Sequence, residues 1–151
     1  MRITTWAEYG VICALHLARR KDEGPITGRD IATSEHLPPD YVEQILLRLR
    51  RASIVSSTRG AKGGYELARS SDAITVREIL SAAELGTFEL HCQNHPIDVA
   101  RCGVGGECSV RPVWEMLGRR IDEALESVKL SDLLMTERDV RQRVGLPVAS
   151  G

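Results

Sequence analysis

Apolar residues recur at helical spacing over the first stretch of the chain. Trp6, Gly10, Cys13, Ala14 and Leu17 share one stripe, and "ARRKDEG" closes the segment on charge and Gly24. "TWAE" reads as a capping box opening this helix, with Thr5 at the N-cap and Glu8 at N3. A second short helix is predicted after "GPITGRD". Thr27 is its N-cap, and Asp30 sits in the first turn, where the helix dipole favours a carboxylate. In "HLPPDYVEQILLRLRRA", Pro38 and Pro39 mark the start of a third helix, and Arg48, Arg50 and Arg51 fill its last turns. Val42, Ile45, Leu46 and Leu49 form its buried stripe. The pattern then changes. Ile54–Val55 and Tyr65–Leu67 predict two short strands, joined by a loop holding Gly60, Gly63 and Gly64. "TVRE" at 75–78 is a second capping box and opens another helix.

From Pro112 onward Val113, Leu117, Ile121, Leu125 and Val128 recur every three or four residues with charges between them. This predicts an amphipathic helix of about four turns. Ser131–Asp132 reads as a fresh N-cap, and "VGLPVASG" reads as a frayed end. The order helix, turn, helix, β-hairpin over residues 25–69 is the layout of a winged helix-turn-helix. The expected fold is therefore mainly α with a small β-hairpin wing. Residues 1–80 form the winged helix-turn-helix DNA-binding domain and 81–111 a cluster-binding loop region. Residues 112–135 form a long C-terminal dimerisation helix with its terminal segment, and 136–151 a flexible tail.

Composition narrows the class. Aromatics are only 4% of the chain, so aliphatic side chains must fill the core. No apolar run approaches the ~20 residues that cross a bilayer. "MRITTWAEYG" carries no secretory h-region. A cytoplasmic location follows as the expectation, and there thiols stay reduced. The net charge of −1 hides an asymmetry: residues 1–70 carry 11 Lys+Arg against 8 Asp+Glu, and residues 71–151 carry 9 against 13. A basic front and an acidic back suit an anion-binding module joined to something else.

A recognition helix lies in the major groove and reads base edges with its outer face. The candidates on the third helix are Tyr41, Glu43, Gln44 and Arg48. Glu43 suits the amino group of cytosine, and Gln44 suits adenine or a phosphate. Arg59 and Lys62 sit at the tip of the glycine-rich hairpin, where the chain approaches the DNA backbone and Arg is favoured in a narrow minor groove. The long helix has too much apolar face for an appendage packed on nothing. Pairing with a second copy is the expectation, because winged-helix repressors bind two half-sites as dimers.

Cys92, Cys102 and Cys108 are spaced C-x9-C-x5-C within "HCQNHPIDVARCGVGGEC". Zinc clasps usually contain a C-x2–4-C pair, and this segment has none. Three soft thiolates in a loop with Gly103, Gly105 and Gly106 suit an iron–sulfur cluster. A thiol-only redox switch and a zinc site are the alternatives. A cluster wants four ligands; His91, His95 or a carboxylate from elsewhere would complete the set. Cys13 lies on the apolar stripe of the first helix and reads as core.

Together these segments resemble the Rrf-type family of winged-helix iron–sulfur transcription regulators. The resemblance runs from "MRITTWAEYGV" through "LPPDYVEQILLRLRRASIVSSTRGAKGGYELAR" to the cysteine loop and "VWEMLGRRIDEAL". "ASIV" stands where the family usually has a glycine-containing turn. The resemblance implies a homodimer on a palindromic double-stranded DNA operator. It implies that Cys92, Cys102 and Cys108 hold a cluster, that Glu43 reads DNA and that Arg59 enters the minor groove. In one branch of the family the fourth ligand is a histidine three residues after the last cysteine; here that position is Arg111. In another branch an acidic residue near the N-terminus of the other subunit serves, and Glu8 matches it, ahead of His95 and His91. Three thiolates and one oxygen ligand favour a 4Fe–4S cluster, with 2Fe–2S as the alternative.

The expected function is a DNA-binding repressor that senses redox, nitric oxide or iron–sulfur status. A cluster-free regulator responding through thiols or a metabolite is one rival. A small iron–sulfur electron carrier is another, but it gives no reason for the wing. No catalytic constellation appears, since His16 and His36 have no acid or nucleophile partner at motif spacing, so the chain is not expected to be an enzyme.

Overall fold

The computed structural model describes residues 3–84, 98–102 and 107–148. Helices α1 (Thr5–Arg19), α2 (Gly28–Ser34) and α3 (Pro39–Arg51) come first. Strands β1 (Val55–Thr58) and β2 (Gly64–Leu67) follow, then α4 (Val76–Ala83), α5 (Val99–Cys102), α6 (Arg111–Glu126) and α7 (Glu137–Arg143). The mainly helical fold with one two-stranded antiparallel wing agrees with the sequence pattern. Among the described residues no helix is long and apolar enough to cross a membrane.

Leu17, Ile31, Ile45, Leu46, Leu49, Ile74 and Ile79 form the centre of one core, each at most 2% exposed. All four residues expected in the buried stripe of α3 lie there. The caps of α2 and α4 follow the sequence as well. Thr27 accepts a hydrogen bond from the Asp30 amide, and Thr75 and Glu78 form a reciprocal capping box.

Other expectations shift. The N-cap of α1 is Thr4, not Thr5. Thr4 has the extended backbone of a cap and accepts from the Ala7 amide at 3.4 Å. Either threonine has a hydroxyl that can cap; helical backbone starting one residue earlier selects Thr4. Glu8 therefore falls one residue beyond the box position, and its side chain is exposed. Ser131–Asp132 does not cap a helix from its front. Asp132 lies inside a 3-10 turn over Leu130–Leu134, where its carboxylate accepts from the Lys129 amide at 2.8 Å. The segment expected as a flexible tail carries α7, capped by Thr136 on the Asp139 amide.

The turn after α3 holds one of two non-glycine residues with left-handed backbone among the described residues. Ser53 is left-handed, with φ 57°. The Ser53 amide donates to Arg50 C=O and the Ile54 amide to Leu49 C=O, each at 3.0 Å. This pair of bonds is a Schellman motif, and both Ile54 and Leu49 are buried in the core. Ile54 is consumed by this turn, so β1 starts one residue later than expected and runs to Thr58. β1 and β2 pair with Val55 opposite Leu67 and Ser57 opposite Tyr65. The wing is also stitched to the chain before α2: Ile26 and Tyr65 exchange two backbone hydrogen bonds of 2.9 and 2.7 Å. Gly64 permits this approach, because a Cβ there would lie 2.6 Å from the Ile26 backbone.

After α6 the chain returns to the segment that leads into α4. Residues 128–130 pair with 74–76 through Val76 N–H to Val128 C=O and Leu130 N–H to Ile74 C=O, both 2.9 Å. Leu130 then enters the core fully buried.

A left-handed L-residue at the C′ position costs roughly 1 kcal/mol relative to glycine. Ser53→Gly is expected to raise unfolding free energy by about 0.5–1 kcal/mol. Urea denaturation checks this; an unchanged or lower midpoint contradicts it.

Candidate nucleic-acid interface and cysteine site

Burial of Val42, Ile45, Leu46 and Leu49 sorts the remaining side chains of α3 onto two flanks. Glu43 and Gln44 are exposed. Tyr41 and Arg48 lie on the other flank, towards α1. The Tyr41 ring centroid is 4.8 Å from Trp6 and 6.0 Å from Tyr9. The Arg48 guanidinium stacks over Trp6 at 4.1 Å and donates to Ala83 C=O at 2.5 Å. Of the four DNA-reading candidates on α3, Tyr41 and Arg48 thus contact α1, whereas Glu43 and Gln44 lie on the more exposed flank.

Glu43 sits in a cradle that the linear sequence does not display. The Tyr65 hydroxyl on β2 donates to Glu43 Oε2 over 3.4 Å, longer than a full-strength O–H···O bond. On the other side is Gly28, the first residue of α2; a Cβ there would lie 2.2 Å from Glu43 Oε1. The recognition helix, the helix before it and the wing therefore meet at one carboxylate. Burial first, and then the Glu43 charge, raise the Tyr65 hydroxyl above its ordinary value of 10.0. Arg59 and Lys62 stand exposed at the wing tip. The tip is closed by Gly63 N–H to Gly60 C=O at 2.9 Å, with Gly60 at φ 114°. Arg50, which the sequence reading did not single out for DNA, is exposed and donates to Ser57 Oγ at 3.1 Å.

Cys102 ends α5 and Cys108 precedes α6, and both are half-buried. Arg111 links them: its backbone amide donates to Cys108 C=O at 3.2 Å and its guanidinium to Cys102 C=O at 3.0 Å. The Asp98 carboxylate accepts from the Ala100 amide at the start of α5. Cys92, His91 and His95 lie outside the described residues, as do Gly103, Gly105 and Gly106. Among the described residues no three of His, Cys, Asp and Glu converge on a metal-ligating group. Glu8 shares a shallow recess with Ile3, Thr4 and Thr5.

α6 buries no residue completely against its own chain. Val113 is 51% exposed and Trp114 39%, with Leu117 and Val110 beside them. The Arg77–Asp122 ion pair, at 3.2 Å, fastens its far half to α4.

The contacts of His16 escaped the sequence reading. His16, read as having no partner, is 5% exposed, with Nδ1 2.6 Å from Glu35 Oε1 and Nε2 3.3 Å from Arg20 Nη1. This ties α1 to the end of α2. A lone histidine on an apolar stripe was the available signal; its partner lies 19 residues away. Cys13 is core, as expected: burial, and then the Glu35 charge, push its thiol up to about 12.

A helix-turn-helix whose second helix presents Glu43 and Gln44 beside a basic-tipped wing defines a winged-helix DNA-binding protein. The chain belongs to the Rrf2 family, described as iron-dependent transcriptional regulators, whose model matches residues 3–136. Members regulate transcription by binding DNA and are not enzymes. It is 34% identical to the HTH-type transcriptional regulator IscR of Xenorhabdus nematophila, over 95% of this chain and 86% of that protein. Among solved structures it is similar to T. potens IscR: 33% identity, TM-score 0.70, 89% of this chain and 86% of that one. It is also similar to CymR, the global cysteine regulator of B. subtilis: 31% identity, TM-score 0.66, 88% of this chain and 95% of that one.

Glu43→Gln removes the negative charge that disfavours the Tyr65 phenolate. The Tyr65 pKa is then expected to fall towards 10.0, read by NMR titration of ring-labelled tyrosine. An unmoved Tyr65 titration would separate the two groups.

Proposed function

We propose that this chain is a homodimeric, operator-binding repressor that senses redox, nitric oxide or iron–sulfur status through an iron–sulfur cluster. The observation that carries this reading is Arg111. It ties Cys102 and Cys108 together at the foot of α6, a helix whose first half leaves Val113, Trp114 and Leu117 exposed.

The donor set fits the group. Cys92, Cys102 and Cys108 supply three soft thiolates. Arg111 occupies the position three residues after the last cysteine, and a guanidinium is not a metal ligand. Glu8 is released from the capping box by Thr4, so its carboxylate is available as the oxygen ligand for a second copy's site, with His95 as the fallback. Three thiolates with one oxygen favour 4Fe–4S over 2Fe–2S. Bound there, a cluster supplies reversible electron exchange and one iron with an exchangeable ligand. The protein's own part is to hold the thiolates between α5 and α6 and to pass their arrangement on to α3.

Pairing of α6 with a second copy through Val110, Val113, Trp114 and Leu117 would set two recognition helices on palindromic half-sites of double-stranded DNA. Glu43 and Gln44 then read base edges, and Arg59 and Lys62 contact the backbone and minor groove. Arg48 and Tyr41 support α3 from the α1 side.

The likeness to CymR favours a second reading, a cluster-free regulator answering through its thiols or a metabolite. Anaerobic purification and reconstitution with iron and sulfide separate the two. The cluster reading predicts a coloured protein with stoichiometric iron and sulfide, lost in Cys102→Ser and made more labile in Glu8→Ala. A colourless wild type after reconstitution gives the second reading the field.

Binding to duplex DNA is expected to weaken steeply with salt, because Lys and Arg displace condensed counterions. The double variant Arg59→Ala/Lys62→Ala should flatten the log–log salt dependence by about 2. Fluorescence anisotropy at several salt concentrations measures this, and an unchanged slope removes both residues from the interface.

A further inference from the structure

We propose that Arg48 is the positioning residue through which the cysteine segment controls the recognition helix. This rests on the cluster-sensing reading above. Arg48 springs from α3 on the turn after Gln44, yet it reaches away from the DNA-reading flank. One guanidinium touches two other elements at once. Nη1 donates to the carbonyl of Ala83, the last residue of α4, at 2.5 Å. The carbon at its centre lies 4.1 Å from the ring centroid of Trp6, near the start of α1.

Both contacts fall close in sequence to the proposed ligands. The chain leaving Ala83 runs into the segment that holds Cys92. Trp6 is two residues before Glu8 on the same helical turn. α1 and α4 are themselves in hard contact there, since a Cβ on Gly10 would lie 2.7 Å from Ala83 Cβ. Ala83 is thus held between Gly10 and Arg48, with no slack to absorb a shift at the end of α4. Close-packed elements respond to such a shift by moving together, not by compressing. Tyr41, stacked on the same Trp6, gives α3 a second point of attachment one and a half to two turns earlier. Displacement of either α4's last turn or α1's first turn therefore swings α3, which carries Glu43 and Gln44.

The chemistry asks for arginine. A planar guanidinium can stack on an indole face and donate in its own plane to a carbonyl. Lysine keeps the charge and loses that combination. The end of α4 also offers orphan carbonyls that need donors, and Arg48 supplies one from another helix.

The test uses full-length protein, anaerobically reconstituted or stripped of iron with a chelator, and a duplex selected by the wild type from a random pool. Wild type, Arg48→Lys and Trp6→Leu are compared. The readouts are iron and sulfide content, the ratio of duplex affinities between the two forms, and hydrogen exchange of residues 39–51 in each form. Coupling of the usual size gives the wild type an affinity ratio of roughly 5–150 and a form-dependent exchange rate in α3. Both variants are expected to keep wild-type iron and sulfide, to bring the ratio to within about twofold of unity, and to exchange alike in both forms. If both forms of Arg48→Lys lose affinity equally and the ratio stands, Arg48 is a DNA contact or a structural prop and the proposal is overturned. If Arg48→Lys does not fold, Trp6→Leu decides by the same ratio. A wild type that takes up iron and sulfide but shows no difference between forms also overturns the proposal while leaving the cluster. A wild type that takes up neither overturns the cluster reading itself, and the proposal with it.

Discussion

Burial of one stripe of α3 is the constraint on which the rest of the molecule depends. Val42, Ile45, Leu46 and Leu49 are each 0% exposed, and together they pin α3 against α1, α2 and α4. Fully burying a side chain of this size is worth ~1.5–3 kcal/mol, so rotation of the helix about its axis would cost more than any surface contact could return. With the rotation set, the 3.6-residue period leaves no freedom for the other positions. Glu43 and Gln44 must face one way, and Tyr41 and Arg48 the other. The Schellman turn at Ser53–Ile54 is the next consequence. It converts the end of α3 into the start of β1 within two residues, and so sets where the wing leaves the core.

The wing is then positioned twice over. Its strands pair with each other, and Tyr65 also pairs with Ile26 ahead of α2. That second pairing brings the Tyr65 hydroxyl to Glu43, with Gly28 leaving space for the carboxylate. A residue expected to read DNA thus meets two other elements, α2 and β2, before any DNA arrives. Its orientation follows the wing, and a shift of the wing relative to α2 would be felt at the recognition helix.

α6 is tethered at both ends, and its first half leaves Val113, Trp114 and Leu117 exposed. Arg111 holds its start to both described loop cysteines; Leu130, just past its end, is buried in the winged-helix core. Arg77–Asp122 adds a half-exposed ion pair of modest worth. An apolar face on a helix held this way has a defined direction even without a partner. A free appendage would not. The same tethers connect Cys102 and Cys108, through α6, to α4 and the core.

Much of the fold was legible along the chain. The caps at Thr27 and Thr75, the buried stripe of α3, the glycine-rich hairpin and the amphipathic α6 all follow from patterns contained within about ten residues, where neighbours in sequence are neighbours in space. The choice of Thr4 over Thr5 as the cap was not legible, because two adjacent hydroxyls have equal claim and only the backbone at residue 4 decides. α7 was missed because a single apolar residue, Val140, among six polar ones makes no stripe to announce a helix. The pairs His16–Glu35, Tyr65–Glu43 and Arg48–Ala83 were invisible for a common reason: their partners lie 19, 22 and 35 residues apart. The chain alone determined which elements form and which chemical groups are present, the cysteines and the basic wing tip among them, since local sterics, capping and periodicity act over a single turn. Only the tertiary packing decided which of those groups meet. It turned Arg48 inward to Trp6 and Ala83 and left Glu43 at the surface, because the rotation of a helix is set by what its apolar face must be buried against.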